Sequence, residues 1–108
     1  MATSSTPGAP AAMTTQDFSQ IIGTSAVQVF PARFFYNMTL SYMRIWNVSP
    51  TATIWCSRSG AAAAVNGAGS FPLGPGLYEM FIAPASIPLN GLSIIATAVS
   101  TPVTIEVG

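Results

Sequence analysis

The sequence predicts an all-β chain: a single small antiparallel β-sandwich, or a Greek-key or jelly-roll barrel, of about seven or eight strands with an extended N-terminal arm. Three observations carry this. Short segments alternate apolar and polar residues with period two. Turn residues (Asn, Gly, Pro, Ser) separate them at close intervals. No stretch carries the 3.6-residue period of a long helix.

The stretch from Tyr42 to Ser57 anchors the prediction. Met43 and Ile45 alternate with Tyr42, Arg44 and Trp46; beyond Asn47-Val48-Ser49-Pro50, Ile54 and Cys56 alternate with Thr53 and Trp55. This pattern reads as a hairpin at the centre of the core, with Pro50 in the turn because proline donates nothing to a ladder.

Before it, Met1 to about Thr15 is rich in Ala, Thr, Ser, Pro and Gly, without apolar periodicity. Residues 1–17 are expected to form a docking arm, and residues 18–108 the sandwich. Thr15 to Gly23 reads either as one or two helical turns, with Thr14 or Thr15 as N-cap and Gly23 as stop, or as an extended segment. Ala26 to Phe30 alternates and stops at Pro31, as a strand does. From Arg33 to Ser41 the chain is β-rich, and the consecutive Phe34, Phe35 and Tyr36 cannot all face one core.

After the central stretch, Ala61 to Val65 is too short for a helix between Gly60 and Asn66-Gly67, and is expected to be a short strand. Phe71-Pro72-Leu73 and Ile87-Pro88-Leu89 each precede a Gly-containing turn and a strand beginning at Leu77 or Leu92. Repeated turn chemistry explains this echo better than duplication does. Val103, Ile105 and Val107 point inward on the closing strand.

Composition narrows the function. Only 6% of the 108 residues are charged, against roughly 25% in an ordinary soluble protein. Arg33, Arg44 and Arg58 balance Asp17, Glu79 and Glu106, with neither Lys nor His. So little charge favours burial of the surface against copies of the chain or other proteins, rather than a surface solvated by Ser, Thr, Asn and Gln. Three dispersed Arg give no footprint for nucleic acid. No apolar run reaches the ~20 residues of a membrane-spanning helix, and the N-terminus lacks the basic start and apolar middle of a secretory signal.

Site chemistry is sparse. The carboxylates fall on separate elements, so general acid–base catalysis has no obvious pair. Cys56 lacks a His base and reads as a buried small hydrophobe. No His/Cys/carboxylate cluster suits a metal, and no cofactor motif is present: Gly67-Ala68-Gly69-Ser70 lacks the Lys and following helix of a phosphate loop. The Asn37-Met38-Thr39 and Asn47-Val48-Ser49 sequons are read as unmodified. Tyr36, Tyr42, Trp46, Trp55 and Tyr78 are candidates for a sugar-stacking platform, though core or subunit contact is the simpler role for each.

The order of Arg44-Ile45-Trp46-Asn47-Val48-Ser49, Ile54-Trp55-Cys56-Ser57, Asn66-Gly67 with Phe71-Pro72-Leu73, Ile94-Ile95-Ala96-Thr97-Ala98 and Thr101-Pro102-Val103-Thr104-Ile105-Glu106-Val107 resembles small β-sandwich virion proteins of bacteriophages, over about the last two-thirds of the chain. The resemblance implies capsid decoration, head-fibre, minor capsid or vertex proteins, located in the virion. Near absence of charge and the Ala-rich loop depart from that pattern.

The resulting expectation is a non-enzymatic structural component of a phage particle. Its partners would be copies of itself, as a trimer or pentamer on the strength of the resemblance, and virion proteins such as the major capsid protein. Pro7, Pro10, Met13, Phe18, Phe34, Phe35 and Tyr36 are the candidate contact residues. A carbohydrate-binding or host-attachment module is the alternative, and would present a solvent-facing row of aromatics beside polar groups. A small enzyme would instead present a deep pocket with converging acids.

Overall fold

In a computed structural model, residues 15–34, 41–82 and 90–108 are described. They form nine strands and no helix: β1 Gln16–Asp17, β2 Gln20–Ile22, β3 Val27–Phe30, β4 Tyr42–Asn47, β5 Ile54–Ser57, β6 Ser70–Leu73, β7 Tyr78–Ile82, β8 Leu92–Ala96 and β9 Thr101–Val107. The first sheet runs β1-β9-β4-β7, with β2 also on β9; the second runs β3-β8-β5-β6. Every pairing is antiparallel.

The chain alternates between the sheets at almost every connection. Taking β1 and β2 as one interrupted strand, this strand order is that of an eight-stranded jelly roll. The interruption is local: Phe18 N–H bonds Ile105 O at 2.7 Å, and Asp17 Oδ1 accepts from Ser19 N at 2.8 Å and also from Ser19 Oγ. Thr15 to Gly23 is therefore extended rather than helical. Pairing begins at Gln16, inside the expected arm; residues 1–14 lie outside the described residues.

The core lies between the sheets. Met43, Ile45, Val103, Ile105 and Val107 from the first sheet meet Phe30, Ile54, Cys56, Leu92, Ile94 and Ala96 from the second, all essentially buried. Each large aliphatic side chain so buried contributes about 1.5–3 kcal/mol of transfer free energy. The inward faces expected for β4, β5 and β9 are observed.

Two expectations are corrected. Tyr42 to Ser57 is not a hairpin, because β4 and β5 lie in different sheets. Period-two alternation specifies which side chains face the core, but two strands facing each other across a sandwich satisfy it as well as two paired strands do. Asn47 holds the crossover. It is fully buried, and its Nδ2 donates to Ala52 O (2.8 Å), Leu73 O (2.9 Å) and Gly74 O (3.1 Å), while Oδ1 accepts from Ser49 N (3.0 Å). Ser49 Oγ then accepts from Ala52 N at 2.9 Å and Thr51 N at 3.2 Å.

Ala61 to Val65 is not a strand either. Its backbone is satisfied by side chains instead of a ladder, with Ala63 N donating to Ser93 Oγ (2.9 Å) and Ala64 N to Ser70 Oγ (3.2 Å). The segment lies over the outside of the second sheet, where Ser57, Ser70 and Ser93 leave room for it.

Backbone requirements explain two glycine positions. Gly74-Pro75-Gly76-Leu77 closes through Leu77 N to Gly74 O (3.1 Å), with Gly76 at φ 76°. These are the Pro and Gly positions of a type II turn. Gly91 has φ 94°, and a Cβ there would lie 2.5 Å from Phe30 O. Any side chain would collide with the end of β3. Pro72 stands in β6, an edge strand, where a missing N–H is tolerated.

Candidate functional site

The outer face of the first sheet carries the features that core formation does not use. Strand registers place three rows across β9, β4 and β7: Thr104, Trp46 and Tyr78; Glu106, Arg44 and Met80; Gly108, Tyr42 and Ile82. Directly opposed residues point the same way, and the intervening residues of β4 and β9 are buried, so these rows lie on the outer face. On β7, Tyr78 is 60% exposed, Ile82 54% and Met80 40%, and Trp46 beside them is 41% exposed. Across the sheet, Ile21 is exposed too.

Polar groups sit in the middle of this apolar field. Arg44 Nη2 donates to Glu106 Oε1 at 3.2 Å, and Tyr42 Oη reaches the same oxygen at 3.2 Å. The Arg44 guanidinium lies 5.8 Å from the Trp46 ring centroid, within cation–π range. Trp46 Nε1 donates to Gly76 O at 3.2 Å, which ties its ring to the type II turn. The ion pair is about one-third exposed on each side. At that exposure its main effect is to orient the Trp46–Arg44 surface rather than to stabilise the fold.

Among the described residues, shallow depressions flank the sheets. One, about 240 Å³, is lined by Ala26, Gln28, Gly60, Ala61, Ala62 and Ser93. Another, about 380 Å³, lies where edge strands β6 and β7 approach, with Arg58, Phe71, Pro72, Glu79 and Phe81 around it. Arg58 covers the Phe81 ring there, 4.8 Å from its centroid.

Asp17 stands opposite Glu106 in the β1–β9 register. The sequence did not reveal that proximity. The two carboxylates are nevertheless engaged separately, Glu106 by Arg44 and Tyr42, Asp17 by Ser19. Hydrogen bonds first from the Ser19 hydroxyl and then from its backbone N–H hold Asp17 below its ordinary pKa, so it stays ionised near neutrality, unlike a general acid. Cys56 is buried, and desolvation, reinforced by the charge of Glu79, pushes its thiol up to about 12. A thiol so rarely ionised is a poor nucleophile. Among the described residues no group of three or more His, Cys, Asp or Glu could hold a metal ion. The described residues contain no helix long and apolar enough to cross a membrane, an observation that does not bear on crossing by strands.

Of the expected contact residues, Phe18 and Phe34 are described. Phe18 is half-buried against the core, edge-on to Phe30 at 4.9 Å and to Phe34 at 6.1 Å. Phe34, at the surface, lies 5.2 Å from Phe30. They form an aromatic cluster at the end of β3 rather than part of the rows on the first sheet. Pro7, Pro10, Met13, Phe35 and Tyr36 lie outside the described residues. Among the sugar-platform candidates, Tyr42, Trp46 and Tyr78 share one face, whereas half-buried Trp55 belongs to the other sheet. Met80 and Ile82 were missed as surface residues. Their signal was present in Leu77-Tyr78-Glu79-Met80-Phe81-Ile82, a segment with apolar residues on both faces. Comparison with protein-family models, with curated proteins and with solved structures finds no match to this chain.

Proposed function

We propose that this chain is a non-enzymatic structural subunit of a phage particle, assembling through its β-sandwich and N-terminal segment onto copies of itself and onto virion proteins such as the major capsid protein. The observation that carries the assembly role is the exposed row Tyr78, Met80 and Ile82 beside Trp46 on the first sheet. An apolar field of this kind on a chain with so few charges is a contact surface in search of a partner. The virion assignment and the expectation of a trimer or pentamer rest on the resemblance. Fold-level analogy adds modest support, since jelly rolls serve in viral capsids but also in lectins.

Self-association through apolar area has a distinct salt response. Sedimentation of the purified chain should show an oligomer at micromolar concentration that persists when salt is raised to about 1 M, because screening weakens exposed ion pairs and leaves apolar burial intact. A monomer under both conditions would overturn the structural reading.

One observation favours a second reading, carbohydrate binding. Trp46 and Tyr78 are exposed cross-strand neighbours, with Arg44, Glu106 and Thr104 on the same face. If this face binds sugars, titration with a panel of oligosaccharides should give saturable heat, and Trp46→Ala should abolish it through loss of the stacking ring. Absence of binding across the panel would dismiss this alternative.

A further inference from the structure

Among the described residues strand β7 ends the first sheet, and its hydrogen-bonding groups divide cleanly between its two sides. Asn47 N donates to Leu77 O at 2.9 Å and Gly76 N to Asn47 O at 3.0 Å, so Asn47 turns its backbone groups toward β7. At the other end of β4, Tyr42 exchanges hydrogen bonds with Gly108 at 3.1 and 3.2 Å, and so turns toward β9. Alternation along the ladder then assigns Met43 and Ile45, with their partners Phe81 and Glu79, to the β4–β7 hydrogen bonds. The N–H and C=O groups of Tyr78, Met80 and Ile82 consequently point to the open side of β7. The same three residues carry the exposed apolar side chains. Neither proline nor lysine guards the strand, although these are the usual protections of an exposed edge. Its single charge is Glu79.

We infer that the open edge of β7 pairs antiparallel with β7 of a second copy, about a two-fold axis at Met80, so that the first sheets of two sandwiches become one continuous sheet. The inference rests on the structural reading above and names its contact. In this register Met80 faces Met80 of the other copy, and Tyr78 faces Ile82; all are residues whose backbone groups point outward, and they form the hydrogen-bonded pairs of the new ladder. The apolar rows of the two outer faces then run on without a break.

Charge selects the register. An axis at Glu79 would set two carboxylates directly opposite each other, which is unfavourable. With the axis at Met80, Glu79 instead faces Phe81 of the other copy, whose ring is covered by Arg58. Each copy thus brings its acid to the other's arginine, once at each end of the contact. An isologous contact of this kind closes at two copies, so the pair, rather than a ring of three or five, is the unit that this edge supports.

The test uses the full chain. Met80→Pro removes an N–H that faces the open edge and leaves the ladder to β4 intact, which proline tolerates on an edge strand. Sedimentation should show the wild type as a dimer or an even-numbered assembly. The variant should associate more weakly by roughly tenfold or more while keeping the wild-type circular dichroism. Two charge variants provide an independent reading if that proline impairs folding. Glu79→Arg alone and Arg58→Glu alone should each weaken the pair roughly three- to tenfold, whereas an equimolar mixture should form heterodimers at wild-type strength, because opposite charges then meet at both ends. A wild type that assembles while Met80→Pro assembles equally well, or charge variants that do not complement on mixing, would overturn the edge pairing and leave the structural reading standing. A monomeric wild type would overturn both.

Discussion

Replacing Asn47 by Ala should lower the unfolding free energy by about 3–5 kcal/mol, the largest effect expected of a polar substitution in this chain. The amide of Asn47 is fully buried and bonds the carbonyls of Ala52, Leu73 and Gly74 at once. Those acceptors belong to the β4–β5 connection and to the end of β6, so one side chain ties together two connections that cross between the sheets. Truncation leaves buried carbonyls without donors and also frees Ser49 N, which bonds Oδ1. An Asp at the same position offers no remedy, since an ionised carboxylate accepts hydrogen bonds and cannot supply the donors that the three carbonyls need. Urea denaturation of the wild type, Asn47→Ala and Asn47→Asp should show both variants with much lower midpoints and an unchanged slope. A loss below about 1 kcal/mol for Asn47→Ala would mean that the crossover is held by its other contacts.

Asn47 also marks the limit of what could be read from the residues alone. Strand positions and inward faces were legible because burial imposes period two: Met43, Ile45, Ile54, Cys56, Val103, Ile105 and Val107 all lie in the core as their alternation requires. Pairing was not legible in the same way. The turn-like Asn47-Val48-Ser49-Pro50 sequence was compatible with a hairpin, yet the Asn side chain looks inward, to carbonyls distant in sequence, and helps carry the chain to the other sheet. Nothing local distinguishes an Asn that caps an exposed turn from one that anchors a buried crossing.

Ala61 to Val65 was misread for a related reason. Its backbone partners are the hydroxyls of Ser70 and Ser93, and no pattern within the segment announces them. The outer face of the first sheet was half legible. Tyr42, Trp46 and Tyr78 stand out by type, but their assembly on one face depends on β4 pairing with β7, a contact between strands separated by two others in the chain. The pairing of Arg44 with Glu106, and the approach of Asp17 to that glutamate, depend likewise on β9 lying at the centre of the sheet.

Ile45→Ala and Ile54→Ala should each cost about 2–5 kcal/mol, because each leaves a cavity in a core that has little freedom to close around it. Both side chains are completely buried, one from each sheet. Ile45 stands opposite Ile105 on β9, and Ile54 lies between Ala96 and Leu73 on its neighbouring strands. The backbones around them are held in ladders on both sides, since β4 and β5 are interior strands of their sheets. Collapse into the void would require the sheets themselves to approach, against the side chains that already separate them. Ile54 has the smaller neighbours, and Ala96 has no side chain long enough to swing into the gap, so its loss should fall toward the upper end of the range. Valine at either position removes a single methyl group and should cost only about 0.5–1.5 kcal/mol, a graded series that separates cavity formation from wholesale misfolding. Chemical denaturation of the four variants decides the matter. Losses below about half a kcal/mol for both alanine variants would contradict the inward orientation of β4 and β5, since a slip of one residue would carry these side chains from the core to solvent.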